Sequence, residues 1–332
     1  MYRGCGGGAC ASAAPHFTNP ALGRSLFGCA SLSGVRRRRG GLVIPRRIAF
    51  INEKGGSAKT TLVANIGAYL ALRRGQRVLG IDMDPQGQLG KVLGIDTRAA
   101  RRSAIDLLLD TVLGQESLDA TPPDPNTPDA AAGGLPILRS HIRNFDVIAA
   151  NKSLGLFPTW EDGDRSDPTL RLATALGASP EVDNYDFVLL DAPPSFGPLT
   201  LNVLRASSEI VAPVPLTYLA LDGCAELMRT VKTVRTRYEN PLLQVTMVVP
   251  TFYRRTKLAH EILERLKRRF PKEIAHSVVG YHVKIDEAQS RGLSIFEYAP
   301  RDRGAQAMAQ LAEELELRGQ HPEMEPEVRE EP

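Results

Sequence analysis

The chain has 332 residues, 42% of them hydrophobic and 24% charged, with 41 Lys and Arg against 38 Asp and Glu. That composition fits an ordinary globular protein, and no apolar run approaches the ~18 residues that read as a membrane-spanning helix. Four cysteines (Cys5, Cys10, Cys29 and Cys224) form no Cys-x-x-Cys pair, which removes support for a disulfide framework or a shared metal site and points to a reducing cytoplasm.

Residues 1–44 are rich in Gly, Ala, Ser and Arg and show no hydrophobic period, so they read as a disordered leader. Residues 1–47 hold eight arginines and no acid, including Arg36 to Arg39. Three readings stay open for this leader: an extension from a mis-called start codon, a basic arm that touches DNA, or a transit peptide. From residue 45 the pattern changes. Ile48-Ala49-Phe50-Ile51 is a buried strand that runs into a glycine-rich turn. The helix after it has Leu62, Ile66 and Leu70 on one stripe and stops near Gly75. Val78 to Ile81 is a second strand, ending at Asp82-Met83-Asp84-Pro85. Strand, helix and strand in about 35 residues make a βαβ unit, which needs a parallel sheet.

A helix is expected over 103–113, then a variable loop over 119–136, a strand at 145–149 and a second variable loop over 158–168. A helix near 169–176 follows. Further apolar strands are expected at 187–190, 210–213 and 245–249, each alternating with helices. The expected fold is therefore α/β, a single doubly wound and mostly parallel sheet flanked by helices, spanning residues 45–317. Residues 318–332 read as an acidic disordered tail, because the stretch from Glu313 onward carries eight glutamates against Arg318 and Arg329.

The glycine-rich turn carries the most specific chemistry. The ordinary phosphate-loop pattern fails, since Glu53 and Ala58 stand where glycines belong. What fits is Lys54-Gly55-Gly56-Ser57-Ala58-Lys59-Thr60-Thr61. Glycines at a strand end let successive N–H groups point at phosphate oxygens, and the helix N-terminus adds partial positive charge. Lys59 would neutralise the β and γ phosphates, and the Thr60 hydroxyl is a hard oxygen ligand for Mg²⁺. By chance the pattern arises in roughly one chain in 3,000 at average residue usage.

This segment resembles the deviant phosphate loop of the ParA/MinD ATPases of the SIMIBI class, most closely the ParA/Soj partitioning proteins. The resemblance covers about residues 46–315 and implies a P-loop NTPase fold binding ATP and Mg²⁺. It implies that Lys54 reaches across an ATP-bound homodimer to the partner's phosphates. The commonest family form has glycine at the position of Ala58. A left-handed backbone there would cost an alanine about 1–2 kcal/mol.

The resemblance also implies roles for the strand ends. Asp84 would position or activate the attacking water, and Asp191, after Phe187 to Leu190, would hold Mg²⁺ opposite Thr60. Asn202 matches a helix near the nucleotide, and Pro213 and Val214 match a strand end lining the adenine pocket.

The stretch from Arg254 to Lys272 carries eight basic residues against Glu261 and Glu264. Leu258, Ile262, Leu266 and Phe270 recur every four residues and are expected to face inward, leaving Lys257, Arg265, Arg268 and Arg269 outside. Either a solvated helix or a nonspecific DNA surface has that pattern. Arg255 and Lys284 fall where the family has basic DNA contacts. The implied function is an ATP hydrolase of weak basal activity that partitions a DNA or cellular cargo, stimulated by a ParB-like protein, in the cytoplasm at the nucleoid. The rival readings are a MinD-like regulator at the membrane and another ATPase of the class acting on a protein partner. The acidic C-terminal stretch offers no basic amphipathic membrane anchor.

Overall fold

The computed structural model describes residues 44–113, 134–159, 167–218 and 220–319. The leader short of residue 44, the tail beyond 319 and the centres of both variable loops lie outside the described residues.

The first βαβ unit is β1 (Arg46–Phe50), α1 (Lys59–Arg74) and β2 (Val78–Asp82), followed by α2 (Gln88–Val92) and α3 (Ala104–Leu113). Then come β3 (Leu138–Arg139), β4 (Phe145–Ile148), α4 (Arg171–Ala178), β5 (Phe187–Asp191) and α5 (Pro198–Ala206). The remainder is β6 (Glu209–Pro215), α6 (Ala220–Arg237), β7 (Gln244–Tyr253), α7 (Lys257–Arg269), β8 (Val279–Gly280), α8 (Val283–Ser290), α9 (Ile295–Tyr298) and α10 (Arg303–Arg318). They form one eight-stranded sheet in the order β3-β4-β2-β5-β1-β6-β7-β8. All pairs are parallel except β3 with β4.

The strands read as unbroken apolar runs because both faces of the sheet are covered. Successive side chains point to opposite faces, so Ile48 and Phe50 join one core while Ala49 and Ile51 join the other. The first core also holds Leu62, Ile66 and Leu70 of α1 and Met308 and Leu311 of α10. The second collects Leu172, Val203, Leu227 and Leu266 from α4 to α7. Burying side chains of this size contributes ~1.5–3 kcal/mol each.

Register fixes the site. Phe50 at the end of β1 pairs with Asp191 of β5, and Asp191 pairs in turn with Asp82 of β2. Two carboxylates therefore stand side by side at the carboxyl edge of the sheet, next to the loop that leaves β1. In an open α/β sheet this edge is where ligands bind.

Two expectations change. Leu258 is 48% exposed, and the inward face of α7 is Ala259, Ile262, Leu263 and Leu266. A four-residue spacing drifts about 40° per step on a helix of 3.6 residues per turn, so Leu258, three steps before Phe270, has rotated out by about 120°. Arg318, assigned to the acidic tail, is the last residue of α10. Its guanidinium pairs with Glu314 at 2.6 Å and donates to the carbonyls of Thr246, Lys272 and Ile274. Glu313 and Glu316 are also tied down, to Tyr69 and Arg74.

Candidate nucleotide site

The loop from Lys54 to Ala58 leaves the end of β1 and enters α1 without a side-chain cap. The first intrahelical bond runs from Leu62 N–H to Ala58 O at 2.9 Å, so the N–H groups of residues 59–61 remain for an anion. Gly56 has φ +67°, and Ala58 has φ 75° and ψ 21°. The left-handed conformation posited for Ala58 is therefore real, and the alanine carries its ~1–2 kcal/mol cost in the loop itself. A Cβ on Gly55 or Gly56 would meet nothing within 4 Å, so the loop's outer side is open.

The two lysines are held in opposite ways. Lys59 is buried, and its Nζ donates to Asn52 O at 3.2 Å. Burial lowers its pKa, while the charges of Asp191 and Asp84 oppose that shift. The side chain is thus a cation kept at the strand ends, where phosphates would take the place of water. Lys54 is exposed, and its Nζ donates to Thr217 Oγ1 at 3.3 Å, beyond the end of β6.

Opposite α1, the Thr60 hydroxyl donates to Asp191 Oδ2 at 2.5 Å. Asp191 Oδ1 is buried with no hydrogen-bond partner among the described residues. Burial pushes the Asp191 carboxyl up to about 7, although the Thr60 bond and the Lys59 charge pull the other way. Asp82 is raised well above the usual carboxylate range, by burial and then by the charge of Asp191. Its oxygens accept from the N–H groups of Asp84 and Leu89, so it anchors the turn that carries Asp84. Asp84 is half-buried and accepts from Gln86 N–H at 2.9 Å.

A buried carboxylate with one oxygen on a hydroxyl and the other unpartnered suits a hard cation. Among the described residues, no three His, Cys, Asp or Glu side chains gather as a metal cage. That fits Mg²⁺, which uses one or two protein oxygens and completes its shell with water and phosphate.

Three expected contacts differ in kind. Asn202 is fully buried; both its amide hydrogens go to the carbonyls of Pro168 and Pro198, and its oxygen accepts from Leu172 N–H. It pins α5 to α4 and presents no face to the loop. Pro213 and Val214 are also buried; the Pro213 carbonyl is taken by Asn52 Nδ2 at 2.5 Å. The open volume beside Lys54, ≈ 540 Å³, is bounded by Pro215, Thr217, Asp222 and Arg229 instead.

Asn52 is the residue that sequence reasoning passes over. It accepts from Lys54 N–H at 2.8 Å, donates to Pro213, and its carbonyl accepts from Lys59. Its side chain therefore ties the Lys54 backbone to β6, while its own carbonyl holds the Lys59 ammonium. An amide at the last turn before a glycine-rich loop was the available signal.

The candidate DNA residues lie on another surface. Arg255 is exposed just before α7, and Lys257, Arg265, Arg268 and Arg269 are exposed along it. Lys284 lies on α8, paired with Glu287 at 2.7 Å and 5.7 Å from the Tyr298 ring centroid. The structure brings Lys54 to Thr61, Asp84 and Asp191 together, and leaves these cations apart from them.

Residues 45–245 match the model of a family described as an AAA domain. The chain is 34% identical over 277 residues to the sporulation initiation inhibitor protein Soj of Bacillus subtilis, covering 82% of this chain and 98% of that one. It is 36% identical over 283 residues to the chromosome-partitioning ATPase Soj of Thermus thermophilus, covering 83% and 97%. A solved cobyrinic acid a,c-diamide synthase of Mycobacterium smegmatis, with bound ATP analog and magnesium, superposes with a TM-score of 0.63 at 29% identity over 81% of this chain and 93% of that one.

Proposed function

Because this chain belongs to the ParA/Soj family of P-loop ATPases, we propose that it is an ATP-switched dimer whose assembled form holds nonspecific DNA. ATP binds along the loop from Gly55 to Thr61, with Lys59 against the terminal phosphates. Mg²⁺, held by Thr60 and Asp191, supplies charge neutralisation of those phosphates when bound. Asp84 orients the attacking water and accepts its proton, and the buried Asp82 keeps the turn carrying Asp84 in place. The chain works in the cytoplasm at the nucleoid, and a ParB-like protein stimulates its turnover.

The observation that carries this reading is the contrast between the two lysines. Lys59 is folded into its own loop, whereas Lys54 stands exposed at the edge and turns away from it. An ammonium in that position can serve phosphates that lie on another subunit. Sedimentation velocity with and without ATP tests it. The wild type is expected to dimerise with ATP, Lys59→Ala to lose nucleotide binding, and Lys54→Ala to bind nucleotide yet stay monomeric. If the two variants behave alike, the role given to Lys54 is wrong.

A further inference from the structure

A second set of contacts joins the phosphate loop to the surface bearing Lys284. Gln289, near the end of α8, donates from Nε2 to Thr61 Oγ1 at 3.0 Å, across 228 residues of chain. Thr61 lies in the first turn of α1, one residue after Thr60. Asn65, one turn further along, donates to Thr61 O at 2.8 Å and accepts from Ile295 N–H at 2.9 Å. The segment following α8 is thus bonded to α1 as well.

Just past its end, α8 also meets the far end of α2. Gly94 closes α2, which starts four residues after Asp84. Gly292, just past α8, lies against it backbone to backbone. A Cβ on Gly292 would stand 2.5 Å from Gly94 Cα, and one on Gly94 would stand 2.8 Å from Gly292 O. Both have φ near +67° (+67° and +68°), so neither position accepts a side chain easily. The C-terminal end of this eight-residue helix is therefore held both to α1, whose first turn belongs to the phosphate loop, and to the glycine that closes α2, the helix after the Asp84 turn. Its exposed side bears Lys284, five residues before Gln289 and about 140° around the helix.

We propose that Gln289 is a positioning residue of the nucleotide site and that α8 transmits occupancy of that site to the basic surface. With the Gln289 amide as donor, the Thr61 hydroxyl keeps its hydrogen for an acceptor beside Thr60, where the phosphates lie. Recruiting that hydroxyl changes the bond that holds α8, and α8 carries Lys284 with it. The coupling is reciprocal: a polyanion that draws on Lys284 changes nucleotide affinity by the factor by which nucleotide changes its own binding. The DNA half of this inference rests on the reading of Lys284 given above; the exchange half does not.

The test is amide hydrogen exchange over residues 283–292 of the full chain, with and without ADP and Mg²⁺, in which no ATP-bound dimer is expected. It is run on the wild type, Gln289→Ala and Gln289→Glu, the last keeping the shape but not the donor. DNA retention of each is measured separately with ATP and Mg²⁺, the state expected to dimerise. In the wild type, ADP is expected to change α8 exchange at least twofold, and both variants, each compared at ADP that saturates it, are expected to lose that response. A wild type whose α8 exchange ignores ADP overturns the proposal, as does a Glu variant that responds like the wild type. Should Gln289→Ala fail to fold, the Glu variant decides alone. A wild type that shows the exchange response but holds no DNA supports the coupling and removes Lys284 from the DNA surface.

Discussion

The carboxyl edge of the sheet and the outer face of α7 both carry clustered charge, and they carry it in opposite ways. At the sheet edge Lys59, Asp82 and Asp191 are buried at strand ends, each with its position set by register or by a hydrogen bond. On α7 the cations are exposed on long side chains, and Lys267 is spent on Glu264 within its own helix. Desolvated charges are costly unless something compensates them, so their clustering marks chemistry. Exposed ones suit a screened and sequence-independent attraction. The first region should therefore respond to single atoms, the second only to net charge.

The largest expected effect of that contrast is at Asp84. Asp84→Ala should lower ATP turnover by roughly a hundredfold or more while leaving ATP bound, as removal of a proton-accepting group does. Steady-state phosphate release set against ATP affinity checks it, and near-normal turnover would remove Asp84 from the mechanism.

Next is the pH dependence of the unliganded protein. The folded pKa of Asp191, about 7, lies above its ordinary 3.8. The stability this raised pKa contributes is fully present below about pH 4 and lost as pH rises through about 7. Asp191→Asn should flatten that loss and exceed the wild type by a few kcal/mol at pH 8, at the expense of Mg²⁺-dependent nucleotide binding. Urea midpoints from pH 5 to 8 measure the difference. Parallel curves would show that the buried carboxyl does not control stability.

The basic surface should behave additively. Reversing Arg255 and Lys284 to Glu is expected to reduce the slope of log affinity for DNA against log salt by about one per lost phosphate contact. Arg255 should contribute more, because Lys284 is already paired with Glu287. In the absence of DNA, nucleotide affinity should be unchanged, and a nucleotide defect in both reversals without DNA would mean that these cations also support the nucleotide site itself.

The smallest effect is at Ala58. Ala58→Gly relieves the left-handed cost but gains unfolded-state entropy, leaving a net stabilisation of about 1 kcal/mol or less. A melting temperature lowered by the glycine would show that the loop is not strained at that position.

The same contrast explains what could be read from the sequence. Strand runs that end in Gly-Gly, Asp-x-Asp or Asp-Ala-Pro announce the sheet and its carboxyl edge, because buried strands and tight turns leave few choices of residue. The left-handed Ala58 was legible for the same reason. Asn202, Pro213 and Val214 rest on resemblance to family segments, and such a match does not say which way a side chain turns; all three are buried. Gln289 and the Gly94–Gly292 contact were invisible, since each depends on a meeting between distant segments. The rotation of Leu258 out of the core follows from the mismatch between a four-residue spacing and 3.6 residues per turn.

The most direct measurement is co-sedimentation of the full chain with random-sequence DNA and, in parallel, with anionic liposomes, each with and without ATP and Mg²⁺. The expected result is ATP-dependent pelleting with DNA that Lys54→Ala abolishes, and no ATP-dependent pelleting with liposomes. ATP-dependent pelleting with liposomes but not with DNA would contradict it.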